Sequence, residues 1–252
     1  MTLDERFDDL ALAWATADPA SPRAVLRLVG FDERPDGSLA VDGLRVTVAA
    51  ACGRDRLAWA EPPGAGSVVG SAADGAVDPV TDPVTGFVGA RVPRLLAVAV
   101  STVDLERGAV PFGGVRGALP ADALLGARAA WSGTPGVVLA EPTTEGRLAA
   151  SLARWGEGPA AIYVAVGRPA LETMAVALER LGERPRHGTG PFGAQLLART
   201  SATWGPYLLL VGEPWTGGPR RERAAAGNLP SAGDHALQDE RTRADASATI
   251  RT

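Results

Sequence analysis

The chain has 252 residues, a formal net charge of −4, and 21% charged against 46% hydrophobic residues. That balance fits a soluble globular protein of one large or two small domains, and it offers nucleic acid no basic face. The single cysteine, Cys52, excludes an intramolecular disulfide and a four-cysteine zinc site; with only two histidines, His187 and His235, a multi-histidine metal centre cannot be built.

Every basic residue is Arg, and Asn228 is the only asparagine, which is the codon signature of a GC-rich genome rather than of phosphate recognition. The first residues include Asp4, Glu5, Asp8 and Asp9, the reverse of a basic secretory leader. Apolar runs such as 95–100 and 160–166 fall short of the roughly 20 residues that span a bilayer. These features predict a cytoplasmic protein with no membrane or nucleic-acid partner.

Three apolar strands open three similar stretches, at 10–15, 95–100 and 161–166. In the first, Ser21-Pro22 reads as an N-cap and first turn, followed by Val25 and Leu28. In the second, a weak helix runs from Asp104 to about Phe112. In the third, Leu171, Met174, Leu178 and Leu181 recur at helical spacing behind Pro169. A further helix is expected over 144–155, with Leu148, Leu152 and Trp155 on one stripe. Each stretch closes on an apolar strand ending in Glu-Pro, at Glu61-Pro62, Glu141-Pro142 and Glu213-Pro214, which are 80 and 72 residues apart and argue for internal duplication. Between them, 63–93 reads as a Gly/Pro-rich linker or long loop, and 215–252 as a polar tail too poor in large apolar groups to fold alone. The expected domains are therefore a divergent unit at 1–62, the linker, paired units at 94–214 and the tail.

Val137-Val138-Leu139-Ala140-Glu141-Pro142, then Trp155-Gly156-Glu157-Gly158-Pro159 and the strand at 160–166, together with the closing strand at 201–211, resemble the vicinal oxygen chelate (glyoxalase/bleomycin-resistance) superfamily, in particular its methylmalonyl-CoA-epimerase-like members. The resemblance spans about 94–214. It implies an α+β fold in which repeated βαβββ units form a curved mixed sheet around a central cavity. It also implies a divalent metal held by four strands, two per unit. Here those four positions fall on Leu95, Val138, Ala161 and Leu209, or Leu210 if the register slips by one, and all are apolar. The positions matched in the extra unit, Leu10 and Ala58, are apolar too. The expectation is a member that has lost its metal ligands and carries no cofactor.

Alternation along the strands then gives an inward row: Leu95, Ala97, Ala99, Val138, Ala140, Ala161, Tyr163, Ala165, Tyr207 and Leu209. Trp131 and Trp204 are candidate stacking faces, and Gln195, Arg199, Tyr163 and Tyr207 are candidate polar contacts for a bulky, largely apolar ligand. Three readings stay open. One is a binding protein, such as the family's drug-sequestering resistance proteins. A second is a metal-independent cyclase, isomerase, epimerase or lyase using Tyr163, Tyr207, Arg199 or His187. The third is a partner-binding subunit with a filled core. An odd number of units also invites a homodimer.

Other signals read as structural. Gly188-Thr189-Gly190-Pro191-Phe192-Gly193 matches a dinucleotide pattern but follows a helix and precedes a strand, so it is expected to be a turn, and His187 beside it a surface histidine. Glu141 points away from the row, Glu157 is expected to serve the backbone of its turn, and Cys52 is expected to be a small buried thiol.

Overall fold

Apolar alternation is the cause of most strands in this chain, and short turns decide how they pair. A computed structural model describes residues 10–53, 55–60, 92–143, 145–199 and 205–212. The expected linker as far as residue 91, the tail, Trp204 and His235 lie outside the described residues. So do Glu61 and Glu213 of the repeated strand endings.

The N-terminal unit runs β1 (Ala11–Thr16), α1 (Ala20–Val29), β2 (Asp32–Glu33), β3 (Leu39–Val41), β4 (Leu44–Ala50) and β5 (Arg56–Trp59). Its strand order is β2-β3-β4-β1-β5, with β4 parallel to β1. The closing strand of this unit is therefore β4, a strand absent from the sequence reading. The segment taken as its counterpart, containing Ala58, is β5, a fifth strand lying antiparallel to β1. The Glu-Pro spacing thus misaligned the first unit with the other two. α1 also starts earlier than expected. Pro19 is its N-cap residue, the Asp18 carboxylate accepts the Ala20 N–H, and Ser21-Pro22 sits inside the first turn.

Two further units follow. One is β6 (Arg94–Ser101), α2 (Leu105–Ala109), a 3-10 turn at Val110–Phe112, β7 (Val115–Asp122), β8 (Ala127–Ser132) and β9 (Val137–Pro142). α3 (Arg147–Trp155) joins it to β10 (Gly158–Ala165), α4 (Arg168–Arg180), β11 (Arg186–Gly190), β12 (Gly193–Leu197) and β13 (Tyr207–Val211). Their strands form one eight-stranded sheet in the order β11-β12-β13-β10-β6-β9-β8-β7. Within each unit the fourth strand is parallel to the first (β9 to β6, β13 to β10), and the two first strands, β6 and β10, pair antiparallel. In the N-terminal unit the equivalent edge of β1 is occupied by the chain's own β5.

Gly188-to-Gly193 is the β11–β12 hairpin, a turn as expected. Asp104 caps α2 by accepting the Arg107 N–H. On α4, Leu171, Met174 and Leu178 are buried as the spacing predicts, but the helix has ended before Leu181, which is exposed. Cys52 is exposed, not buried, because it follows the last residue of β4 in an open turn.

The two faces of the large sheet feed separate cores. The outer face contributes Val98, Ile162, Val164, Leu196, Leu208 and Leu210 to a cluster with α4, α1 and the N-terminal strands. The described residues thereby pack as one compact unit within 1–215. A polar knot reinforces this joint. Arg199 pairs with Asp55 at 2.8 Å and with Glu183 at 3.6 Å, while its guanidinium lies 5.4 Å from the centroid of the Trp14 ring. The inner face is concave. Its two edge strands touch where the Ala123 N–H donates to the Thr189 carbonyl. Gly188 permits that approach, since a Cβ there would lie 2.6 Å from the Leu124 side chain.

Candidate functional site

The concave face has a floor of small residues. Ala97 and Ala99 on β6, Ala140 on β9, Ala161 on β10, and Ala127 and Ala129 on β8 all lie in the inner cluster, with Val138 and Leu209 beside them. Tyr163, Tyr207, Phe192, Leu125 and Leu148 stand over that floor. Leu209, not Leu210, faces inward, which settles the register of β13. Ala165 ends the row opposite Val211.

Leu95 is the exception. Tyr163 pairs with Ala97 but Val164 pairs with Leu95, so Leu96 is an extra residue in β6. A bulge of this kind turns the residues before it onto the opposite face. Leu95 therefore joins the outer core and Leu96 packs inward. Strict alternation carries no sign of the bulge.

A polar cluster closes the middle of the concave face. Asp122, at the end of β7, is 1% exposed. Its Oδ2 accepts from the Tyr163 hydroxyl at 2.7 Å and from Gln195 Nε2 at 2.8 Å, and its Oδ1 accepts the Leu125 N–H at 2.8 Å. A register shift between Leu119 and Asp122 swings the carboxylate inward. Gln195 packs across Gly190, where a Cβ would come within 2.3 Å of its amide. Its Oε1 is buried and has no hydrogen-bond partner among the described residues. The amide cannot turn over, because that would set Oε1 against the Asp122 carboxylate. Tyr163 also meets Phe192 edge-on at 5.0 Å, and Phe192 meets Trp131 at 5.7 Å, so three aromatic rings rim the cluster.

Neither tyrosine is poised to move a proton. Burial, and then the nearby Asp122 carboxylate, push the Tyr163 hydroxyl well above its ordinary range. Burial likewise raises Tyr207, whose hydroxyl donates to the Arg147 carbonyl at 2.8 Å. The other two candidates for acid–base work lie elsewhere. Arg199 lies beyond the end of β12, in the knot with Asp55 and Glu183 and against Trp14 of the outer core. His187 is exposed on the edge strand β11. Of the polar candidates, the structure brings together Tyr163 and Gln195, with Trp131 nearby. It adds Asp122, which sequence reasoning missed. The signal was a lone acid in Leu-Pro-Ala-Asp, which reads as a surface turn.

The donor set on this face does not fit a divalent cation. Such ions take several carboxylate oxygens or neutral imidazoles. Here the only carboxylate among the described residues already accepts three donors, and both tyrosine hydroxyls are themselves donating. No three His, Cys, Asp or Glu side chains gather anywhere among the described residues.

The glutamates serve structure. Glu141 pairs with Arg128 at 2.7 Å and accepts the Leu105 N–H at the start of α2. Glu157 Oε1 accepts the Val103 N–H, the Thr102 hydroxyl and Arg107, and the Val103 N–H above all holds its carboxyl below the usual range. No helix among the described residues is long and apolar enough to cross a membrane.

No protein-family model matches the chain, and no curated protein does. Among solved structures it is similar to methylmalonyl-CoA epimerase from Mycobacterium tuberculosis, at 21% identity and a TM-score of 0.40, over 48% of this chain and 88% of that one. A hypothetical protein from Bacillus halodurans matches at 18% identity and a TM-score of 0.38, over 49% and 96% of the two chains. A triple mutant of 4-hydroxymandelate synthase from Streptomyces coelicolor matches at 15% identity and a TM-score of 0.32, over 83% and 71%. Scores this low carry no activity to this chain. The fold rests on its own strand order: two βαβββ units paired through their first strands into one curled sheet, the architecture of the vicinal oxygen chelate superfamily.

Proposed function

We propose that the protein binds a bulky, largely apolar organic molecule against the concave face without a metal, in the manner of a sequestering or resistance protein. The observation that carries this reading is the buried, unpartnered Gln195 Oε1, set between an alanine floor and an aromatic rim. A buried acceptor left without a donor costs about 1–3 kcal/mol. A ligand N–H or O–H would relieve that cost; Ala97, Ala140 and Ala161 are buried under the protein's own side chains, so the ligand's apolar body would reach them by displacing those side chains. Binding is favoured over acid–base catalysis because both tyrosines stay neutral donors across the physiological range.

The test is tryptophan fluorescence, with Trp131 beside the face as reporter. A panel of hydrophobic ligands with and without an N–H or O–H group is titrated into the native protein and Gln195→Met. Donor-bearing ligands should quench saturably and bind the variant about tenfold more weakly, the equivalent of one hydrogen bond of about 1.4 kcal/mol. Ligands lacking a donor should bind both proteins alike. A panel that leaves the emission unchanged would overturn the reading.

A further inference from the structure

A second concavity lies away from this face, at the entry to β10. It holds about 280 Å3 and is bounded by β5 of the N-terminal unit on one side and by the end of α3 and the Gly156-Glu157-Gly158 turn on the other. That volume sits at the lower edge of the roughly 300–1,000 Å3 of small-molecule sites, room for one or two fused rings.

Two aromatic side chains stand in its walls, and one of its buried polar groups is an unpaired donor. Trp59 and Trp155 both line it, with Pro206 beside them. Trp155 Nε1 is buried and has no hydrogen-bond partner among the described residues. An indole N–H only donates, so what is missing there is an acceptor. Two cations stand close. Arg56 lines the cleft, is exposed, and enters no ion pair among the described residues, and the Arg154 guanidinium lies 5.4 Å from the Trp155 ring centroid. Glu157 is the one acid among the lining residues; its Oε1 is committed to Val103, Thr102 and Arg107, and its Oε2 is an acceptor that an anionic occupant must keep clear of. Away from Glu157, an occupant meets two indole rings, one orphan N–H and the Arg56 cation.

We propose that this cleft is a second binding site that takes a small aromatic carboxylate, its ring against Trp59 and Trp155, its carboxylate accepting the Trp155 Nε1–H and pairing with Arg56. The occupant would touch β5 and the start of β10 together, so it would also stabilise the joint between the N-terminal unit and the large sheet by mass action.

The experiment follows the indole N–H signals in a proton–nitrogen correlation spectrum of the full chain, which has six tryptophans. The signal absent from Trp155→Phe belongs to Trp155. Titration with 2-naphthoate should move that signal saturably, whereas 2-naphthamide should bind about tenfold more weakly. Calorimetry should show Trp155→Phe weakening 2-naphthoate about tenfold, one lost charge-assisted hydrogen bond. Arg56→Gln should weaken it about threefold, as expected of an exposed ion pair. A Trp155 signal that does not move, or that moves equally for acid and amide, overturns the proposal. If Trp155→Phe fails to fold, through-bond assignment in the native protein and the Arg56→Gln arm decide the matter alone.

Discussion

On β10, Ile162 and Val164 face outward into the cluster shared with α4 and the N-terminal unit, while Ala161 and Tyr163 face inward with the alanines of β6 and β9. On β13, Leu208 and Leu210 face out, and Tyr207 and Leu209 face in. The same strands thus serve two different ends. The outer face is made of branched side chains and is covered by the protein's own helices, which is how a core stores stability. The inner face pairs small residues with a buried carboxylate, an amide and two hydroxyls. That face is equally buried, so what sets it apart is its small and polar side chains, a departure from pure core packing of the kind expected at functional sites.

The largest effect should come from the outer face. Leu208→Ala removes a fully buried side chain and should cost about 3–5 kcal/mol, read as a lower denaturation midpoint at unchanged slope. A loss below about 1 kcal/mol would mean that the outer cluster is not the main store of stability.

Asp122→Ala tests the inner polar cluster. It strands the Tyr163 hydroxyl, the Gln195 amide and the Leu125 N–H, and should cost about 2–3 kcal/mol in chemical denaturation. A neutral result would show that the cluster contributes nothing to holding the concave face in place.

The tyrosines give a pH-dependent version of the same comparison. The chain has only Tyr163 and Tyr207, and both are raised above the ordinary value of 10.0. The folded state therefore holds its phenolic protons more tightly than the unfolded chain. The stability this supplies is fully present below about pH 10, the unfolded value, and is lost as pH rises above it toward the folded values. Tyrosinate absorbance should stay flat through pH 10 and then rise together with unfolding. A hyperchromic step near pH 10 in folded protein would place one hydroxyl in solvent.

The smallest stability effect should be the most informative. Ala140→Leu adds bulk to the floor of the concave face. If that face leaves room, the cost should stay under about 1 kcal/mol while ligand quenching disappears. If the alanines are already packed, overfilling should cost about 1–3 kcal/mol. The second outcome would erase the contrast between the faces.

Much of this architecture was readable from residues alone. The strands β1, β6, β9, β10 and β13 are continuous apolar runs, and α4 follows the spacing of Leu171, Met174 and Leu178. Ala161, Val138 and Leu209 were placed on the inner face correctly because nothing interrupts alternation near them. Three features escaped for physical reasons. Leu95 faces outward because of an extra residue in β6, and bulges leave the hydrophobic pattern intact. β4 carries a strand signal of its own, Leu44, Val46 and Val48 buried in alternation with exposed Arg45 and Thr47, but the Glu-Pro ending of β5 took its place in the repeat. Asp122 and Gln195 meet across 73 residues of sequence, and no local pattern announces a contact at that range.

The most direct measurement is a crystal structure of the protein with the best-binding member of the ligand panel. The account predicts organic density on the concave face beside Trp131 and Tyr163, with a donor atom within hydrogen-bonding distance of Gln195 Oε1. A coordinated cation at that face would contradict it, as would side chains filling the face completely while another protein group satisfies Gln195.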